Sequence, residues 1–123
     1  MARDLEYVAE AVEEAEASAR WYADRSPSAA EGFDAELEAA ELAIAEQPEA
    51  WPPFKHGTRR YLLRRYPFNT VYQVESDRIV VVAVAHAHRR PGYWKSRKGL
   101  PNIGLQPTAA RATMSAAAAD AQR

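Results

Sequence analysis

Hydrophobic positions in the first part of the chain recur with the spacing of an α-helix. Val8, Val12, Ala15, Ala19 and Tyr22 are three or four positions apart, so they share one side of a helix over residues 8–24. Glutamates occupy most of the remaining positions. The pattern predicts an amphipathic helix with an acidic outer surface, preceded by a short strand around residues 3–7.

A second helix is predicted to begin at Ser26 and Pro27. Serine is a favoured N-cap, and proline at the first helical position loses no hydrogen bond. The helix is predicted to end near residue 47, because Pro48 disfavours a helical conformation in the residue before it. Its buried face is predicted from positions at helical spacing: Phe33, Leu37, Ala40 and Ile44.

Three stretches after the proline-rich connector at residues 48–53 read as strands: 58–66, 68–75 and 78–86. Ser76 and Asp77 have the length of a two-residue hairpin turn. The run at 79–85 is apolar on both alternating faces, which is typical of a central strand covered on both sides. This order predicts an α+β fold, with an N-terminal helical hairpin packed on a three- to four-stranded antiparallel sheet.

The chain of 123 residues suits one domain, which we place at residues 1–98. Residues 99–123 lack periodicity, and eight of the last fifteen residues are alanine, so we expect a low-complexity, disordered tail. The chain has no cysteine, no secretory signal pattern and no stretch near the roughly 20 apolar residues of a membrane helix. We therefore expect a cytoplasmic protein without disulfides.

The formal net charge of −1 conceals a strong separation of charge along the chain. Residues 1–50 hold three basic and fourteen acidic residues, whereas residues 51–98 hold eleven basic and two acidic ones. A single domain built from such halves is expected to carry an acidic face and a basic face. The basic face is a candidate site for a polyanion or an acidic partner chain.

Four arginines on the first long predicted strand are the first group that could carry chemistry. Strand alternation places Arg59 and Arg65 on one face and Arg60 and Arg64 on the other. The alternative to a binding role is that one pair covers an exposed sheet edge while the other reaches over the helices to their glutamates.

The second group is the cluster at residues 86–98, with five cations, two histidines and two aromatic residues. Cations beside flat aromatic surfaces suit phosphate and base binding, and a histidine or tyrosine can move a proton during attack by a ribose hydroxyl. The alternative is that Tyr93 and Trp94 close one end of the core. His86 and His88 share a strand face, but without a convincing third ligand we expect no metal site.

Several stretches resemble the RelE/ParE superfamily of toxins from bacterial type II toxin–antitoxin modules, also labelled plasmid stabilisation proteins. The resemblance spans nearly all of residues 3–97, and the order and spacing of the matching stretches are more specific than any one stretch. The implied fold is two helices on an antiparallel sheet. The matching stretches are ARWY at 19–22, AEGF at 30–33, PEAWP at 48–52, RRYLLRRYPF at 59–68, VYQV at 71–74, VAVAH at 82–86 and RRPGYW at 89–94.

The resemblance implies one of two growth-inhibiting mechanisms. RelE-like members are metal-independent endoribonucleases that cut mRNA on the ribosome, whereas ParE-like members inhibit DNA gyrase. Asn69 or Thr70 stands where RelE-like members commonly carry a catalytic arginine, and the stretches YPF at 66–68 and PGYW at 91–94 are closer to ParE-like members. Gyrase inhibition is therefore favoured, with mRNA cleavage and a degenerate, non-toxic binding module as alternatives.

The resemblance also implies a protein partner. A cognate antitoxin is expected to lay an acidic and apolar segment across the basic sheet face and to fold as it binds. No cofactor, metal or membrane is expected. If the chain is a nuclease, the candidate catalytic residues are Arg60, His88, Arg89 and Tyr93; the candidate residues for binding the target or the antitoxin are Arg59, Arg64, Arg65, His86, Arg90 and Trp94.

Truncation after Lys98 tests the domain boundary. We expect the shortened chain to keep its free energy of unfolding and its affinity for the antitoxin, because residues 99–123 hold too little apolar bulk for a core. Chemical denaturation of both chains checks this. A large loss of stability would show that the tail packs against the domain.

Overall fold

The structure is a computed structural model that describes residues 4–97. The predicted tail at 99–123 lies outside the described residues. Two helices and four strands form, in the order that the sequence predicts. The elements are β1 (Asp4–Tyr7), α1 (Ala9–Ala23), α2 (Pro27–Glu46), β2 (Arg59–Leu62), β3 (Phe68–Val74) and β4 (Arg78–His86), with a 3-10 turn at Lys55–Gly57.

The start and end of α2 follow from local sequence. The Ser26 hydroxyl accepts a hydrogen bond from the Ala29 amide at 3.3 Å, and Pro27 occupies the first turn. The helix ends at Glu46, just before Pro48. Both predicted boundaries are confirmed.

The four strands form one sheet in the order β1-β4-β3-β2. β2, β3 and β4 pair antiparallel, as predicted, but β1 pairs with β4 in parallel. The α+β prediction is confirmed, and the sheet is mixed rather than wholly antiparallel. Parallel pairing is open to β1 because both helices and two strands separate it from β4, and parallel neighbours require a long crossover.

The main core lies between the helices and one face of the sheet. Phe33 of α2 contacts Phe68 of β3, with ring centroids 5.2 Å apart, so Phe68 and the alternate residues of β3 face the helices. α1 contributes Ala11 and Ala15, which are fully buried. The predicted buried face of α2 is confirmed, because Phe33, Leu37, Ala40 and Ile44 are all completely inaccessible to solvent.

The opposite face of the sheet, which we call the second face, is also covered. Val71 and Ala83 are paired residues that alternate away from the helices, yet both are fully buried. Trp94, from the segment after β4, is 1% exposed and stacks on Phe54, with ring centroids 5.4 Å apart. The prediction that β4 is a central strand covered on both sides is therefore confirmed over its buried run at residues 79–85.

Aromatic packing joins the loop after β2 to α2. The Tyr66 ring lies against Tyr22 and Phe33, and its hydroxyl donates a hydrogen bond to the Ala29 carbonyl at 2.7 Å. Gly32 lies directly beneath this ring. A Cβ atom at residue 32 would be 2.3 Å from the Tyr66 hydroxyl oxygen, which is closer than packed atoms approach.

We expect Gly32→Ala to lower the free energy of unfolding by about 1 kcal/mol, because the overlap outweighs the gain in helix propensity. Tyr66→Phe removes the oxygen that the new methyl group meets. In the Tyr66→Phe background, the same glycine substitution should therefore cost much less or become stabilising. Urea denaturation of the four proteins of this cycle measures the coupling, and additive effects would contradict the packing described.

Candidate functional site

The segment after β4, residues 87–97, folds back as a series of turns. The amide of Lys95 donates to the Gly92 carbonyl at 3.0 Å, and that of Arg97 donates to the Trp94 carbonyl at 2.8 Å. Gly92 has a φ of 95°, a conformation that residues with a side chain rarely adopt. A Cβ there would also lie 2.9 Å from the His56 Nε2, so glycine is required at this turn.

Glu14 of α1 joins this segment to the edge of β4. β1 pairs with β4 only as far as Val81, so the edge of β4 beyond Val81 has no strand partner among the described residues. The Glu14 carboxylate accepts hydrogen bonds from the Val84 amide at 2.9 Å and from the Tyr93 hydroxyl at 2.8 Å. It also pairs with Arg97 at 3.2 Å, and Arg97 donates to the Val82 carbonyl at 3.1 Å. Two side chains thus satisfy backbone groups at this edge.

Tyr93 is held at its ring and at its hydroxyl. The Arg89 guanidinium lies 3.8 Å from the ring centroid, and that of Arg97 lies 5.1 Å from it. Burial raises the pKa of Tyr93 well above its ordinary value, and the charge and the hydrogen bond of Glu14 raise it further. The phenol therefore keeps its proton at neutral pH and donates a hydrogen bond to Glu14.

Arg59 and Arg60 lie on opposite faces of the sheet, as strand alternation predicts. Arg59 donates to the Trp51 carbonyl at 2.6 Å, which fixes the connector after α2. Arg60 lies over the Phe54 ring on the second face, 4.3 Å from its centroid. Both arginines thus stabilise the loop that precedes their own strand.

The predicted alternation is wrong for Arg64 and Arg65, because β2 ends at Leu62. The Glu36 carboxylate of α2 accepts hydrogen bonds from the Arg64 amide at 2.9 Å and the Arg65 amide at 3.1 Å. The Arg65 side chain pairs with the same carboxylate at 3.2 Å. A tertiary contact therefore takes these residues out of strand pairing, and Arg65 reaches a helix glutamate as the alternative interpretation proposed.

The two candidate histidines lie side by side at the end of β4. The His86 Nδ1 accepts a hydrogen bond from the His88 amide at 3.0 Å, and the two rings are 5.0 Å apart. His86 also packs against Phe68. His88 and Arg90 are exposed, whereas Trp94 is buried and closes the core on the second face.

A groove of about 630 Å³ runs between α1 and the end of the sheet. Of the sequence-predicted residues, His86 and Arg89 lie on its lining. Trp21 forms part of the α1 wall and remains 52% exposed, with Arg25 stacked on its ring at 3.6 Å. Sequence reasoning missed this site; the motif ARWY at 19–22 contained Trp21, but nothing in the sequence connected it to β4.

Comparison with known proteins gives the family. A family model described as the ParE toxin of the type II toxin–antitoxin system parDE matches residues 5–91, which is more than two thirds of the sequence. The chain belongs to the ParE toxin family. Among curated proteins, no sequence matches it.

A solved structure agrees with the fold of this toxin. The structure is described as the chromosomal ParDE TA system from P. aeruginosa. Its TM-score is 0.62 at 14% sequence identity, and the match covers 70% of this chain and 97% of the other. Two helices packed on an open sheet are therefore the shared architecture.

Two further observations concern the described residues of the toxin. Within residues 4–97, no group of three or more histidine, aspartate or glutamate side chains is arranged to hold a metal ion. Neither helix in that range has both the length and the apolar content needed to cross a bilayer.

Glu36 makes the stability of the toxin depend on pH. Burial acts to raise the pKa of Glu36, but hydrogen bonds from Arg65 and Arg64 and the charge of Arg65 outweigh it and hold the pKa below 4.5. A lowered pKa in the folded state stabilises the protein above pH 4.5, and that contribution is lost as the pH falls through the folded-state pKa.

We therefore expect Glu36→Gln to destabilise the toxin at pH 7, and the difference from wild type to shrink as the pH falls below 4.5 and through the lowered pKa of Glu36. Guanidinium denaturation at a series of pH values measures both effects. Glu31→Gln, which changes an exposed carboxylate of the same helix, is the matched control and should leave the profile unchanged. A difference that stays constant with pH would contradict the ion-pair interpretation.

Proposed function

We propose that this toxin stops growth by inhibiting DNA gyrase and that a cognate antitoxin protein neutralises it. The choice of gyrase over mRNA as the target rests on the hydrogen bond and the burial of the Tyr93 hydroxyl. As a nuclease residue, it would have to exchange a proton with the RNA. Its hydroxyl instead donates to Glu14, and burial and the glutamate charge keep that proton in place.

The other candidate catalytic residues support the same choice. Arg60 lies on the second face over Phe54, whereas Arg89 lines the groove on the side of the helices. These positions are on opposite sides of the sheet, which disfavours a shared action on one phosphate. Asn69 and Thr70, one of which stands where RelE-like members commonly carry a catalytic arginine, are both buried.

Ribosome-dependent mRNA cleavage is the second candidate. It is favoured by the exposed side chains of His88, Arg89 and Arg90, which follow one another at the end of β4. Cations at such a position are accessible to a phosphate backbone, and histidine can transfer a proton near neutral pH. Metal would not be required for this chemistry.

Charge supports an antitoxin with an acidic and apolar segment. The basic half of the chain forms β2, β3, β4 and the segment after them, and three of its arginines pair with glutamates of the acidic half: Arg65 with Glu36, Arg78 with Glu6, and Arg97 with Glu14. Exposed cations such as Arg64, Arg89 and Arg90 remain at the surface, where a negatively charged segment would find them.

Induced expression in a bacterial host tests the target. We expect growth arrest with induction of the SOS response and loss of supercoiling activity, because blocked gyrase leaves DNA damage while translation continues. Tyr93→Phe should keep the toxicity, provided that thermal unfolding shows the variant to be folded, because the phenol proton takes no part.

Primer extension on host mRNA tests the alternative function, mRNA cleavage. Cuts at fixed codon positions that Arg89→Ala abolishes would overturn gyrase inhibition and establish the nuclease. Normal growth and normal supercoiling on expression of the folded protein would overturn both mechanisms and indicate a non-toxic binding module.

A further inference from the structure

Two turns from distant parts of the chain meet on the second face of the sheet. Phe54, which precedes the 3-10 turn at Lys55–Gly57, stacks on Trp94 with ring centroids 5.4 Å apart. His56 of the same turn lies against Gly92, where a Cβ atom would be 2.9 Å from the histidine Nε2. These contacts hold the 3-10 turn against the segment after β4.

The two contacts gather cations on one surface, which we call the two-turn surface. Each of these cations either packs on one of the contacting residues or lies within two positions of one in the chain: Lys55, Arg60, Arg90 and Lys95. All are exposed except Arg60, which is half-buried. Within residues 4–97, none of them forms an ion pair with a carboxylate, whereas three other arginines of the basic half do.

Acidic residues are absent from the chain segments that form this surface. None occurs between Glu49 and Glu75, and none occurs from residue 78 to residue 97. Most of the carboxylates belong to the helices, which cover the opposite face of the sheet. A group of cations without nearby carboxylates attracts anions to the surface, so the two-turn surface suits a polyanion.

The aromatic rings at this surface favour a duplex over a single strand. Proteins that bind single strands stack the bases on accessible aromatic rings. Trp94 is only 1% exposed, and Phe54 is engaged both by Trp94 and by the Arg60 guanidinium, which lies 4.3 Å from its centroid. The Tyr93 ring is likewise covered by Arg89. The cations reach outward instead, where the phosphates of a duplex are accessible without unstacking its bases.

The same packing disfavours an acidic protein as the ligand at the junction of the two turns. Protein interfaces depend on a few large apolar or aromatic side chains that enter pockets of the partner. Here Phe54 and Trp94 pack on each other beneath the cations. The groups that remain accessible are charged side chains and turn backbone, which is the composition of a phosphate-binding surface.

We propose that the two-turn surface binds the phosphate backbone of duplex DNA, with Lys55 and Lys95 contacting phosphates from the two turns. Such binding has little sequence preference, because it involves phosphates and not base edges. Its part in growth arrest rests on the proposed function, because gyrase holds the duplex that a bound toxin would contact.

Fluorescence anisotropy of a labelled duplex of ~20 base pairs, titrated with the purified full chain, measures this binding without gyrase. We expect the affinity to fall as the salt concentration rises from about 50 to 200 mM. The slope of log affinity against log salt is expected to be about −3 to −4, because each cation that contacts a phosphate releases close to one counterion.

Substitution of the two lysines tests their assignment. Lys55→Gln and Lys95→Gln should each make the salt slope shallower by about one, and the double variant should bind the duplex about tenfold or more weakly. Arg20→Gln removes an exposed cation from the end of α1 and is the matched control, with an unchanged slope. Thermal unfolding at the wild-type temperature shows that these surface variants are folded.

Three results would overturn the inference. The first is a wild-type chain that does not bind the duplex at the lowest salt concentration. The second is an equal effect of Arg20→Gln and the lysine variants, because binding would then follow total charge and not this surface. The third is tighter binding to a single-stranded RNA of the same length, which would exclude the duplex as the preferred ligand.

A gyrase supercoiling assay separates this inference from the proposed function. The double lysine variant is expected to inhibit gyrase less than wild type, whereas Arg20→Gln should inhibit it like wild type. A wild-type chain that binds the duplex but leaves supercoiling unchanged would overturn the proposed function and support the DNA site. Full inhibition by a double variant that no longer binds DNA would overturn the role of the two-turn surface in growth arrest.

Discussion

The Glu14 carboxylate is the contact on which the second half of the structure depends. It lies on α1 yet bonds to the β4 edge at Val84 and to the terminal segment at Tyr93 and Arg97. Val84 and Tyr93 are 70 and 79 residues away from Glu14 along the chain. A side chain that gathers three donors contributes more than an isolated surface ion pair, because the same ordered carboxylate satisfies all of them.

The separation of charge along the sequence therefore has two consequences in the fold. Part of it is neutralised internally, since Glu6, Glu14 and Glu36 each bond to an arginine of the basic half. Glu14 and Glu36 attach the segment after β4 and the loop after β2 to the helices, and Glu6 joins β1 to the start of β4. The remaining cations, exposed around the end of β4, are what an interacting molecule would meet.

The bounds of α2 could be predicted from local sequence, because Ser26, Pro27 and Pro48 determine the backbone conformation of residues close to them in the chain. Long-range contacts account for the differences. Glu36 shortens β2 because its carboxylate accepts hydrogen bonds from the amides of residues 64 and 65. The alternation of residues along the strand does not predict that contact. The groove was equally hard to predict, since it joins positions of α1 to positions of β3 and β4 that are at least 46 residues away. The sequence singled out Tyr93 and Trp94, but it left open whether they pack in the core or take part in chemistry. Only their contacts with residues far away in the chain distinguish these two roles.

The parallel pairing of β1 with β4 affects how the protein is made. Leu5 leaves the ribosome well before its partner Ile79, which lies 74 residues later in the chain. The helical hairpin can form early, but the sheet face that it covers is complete only when β4 has been synthesised. A nascent chain interrupted before β4 would expose the apolar sides of both helices without the finished fold, so a cell that stalls in translation would release an unfolded fragment instead of a working toxin.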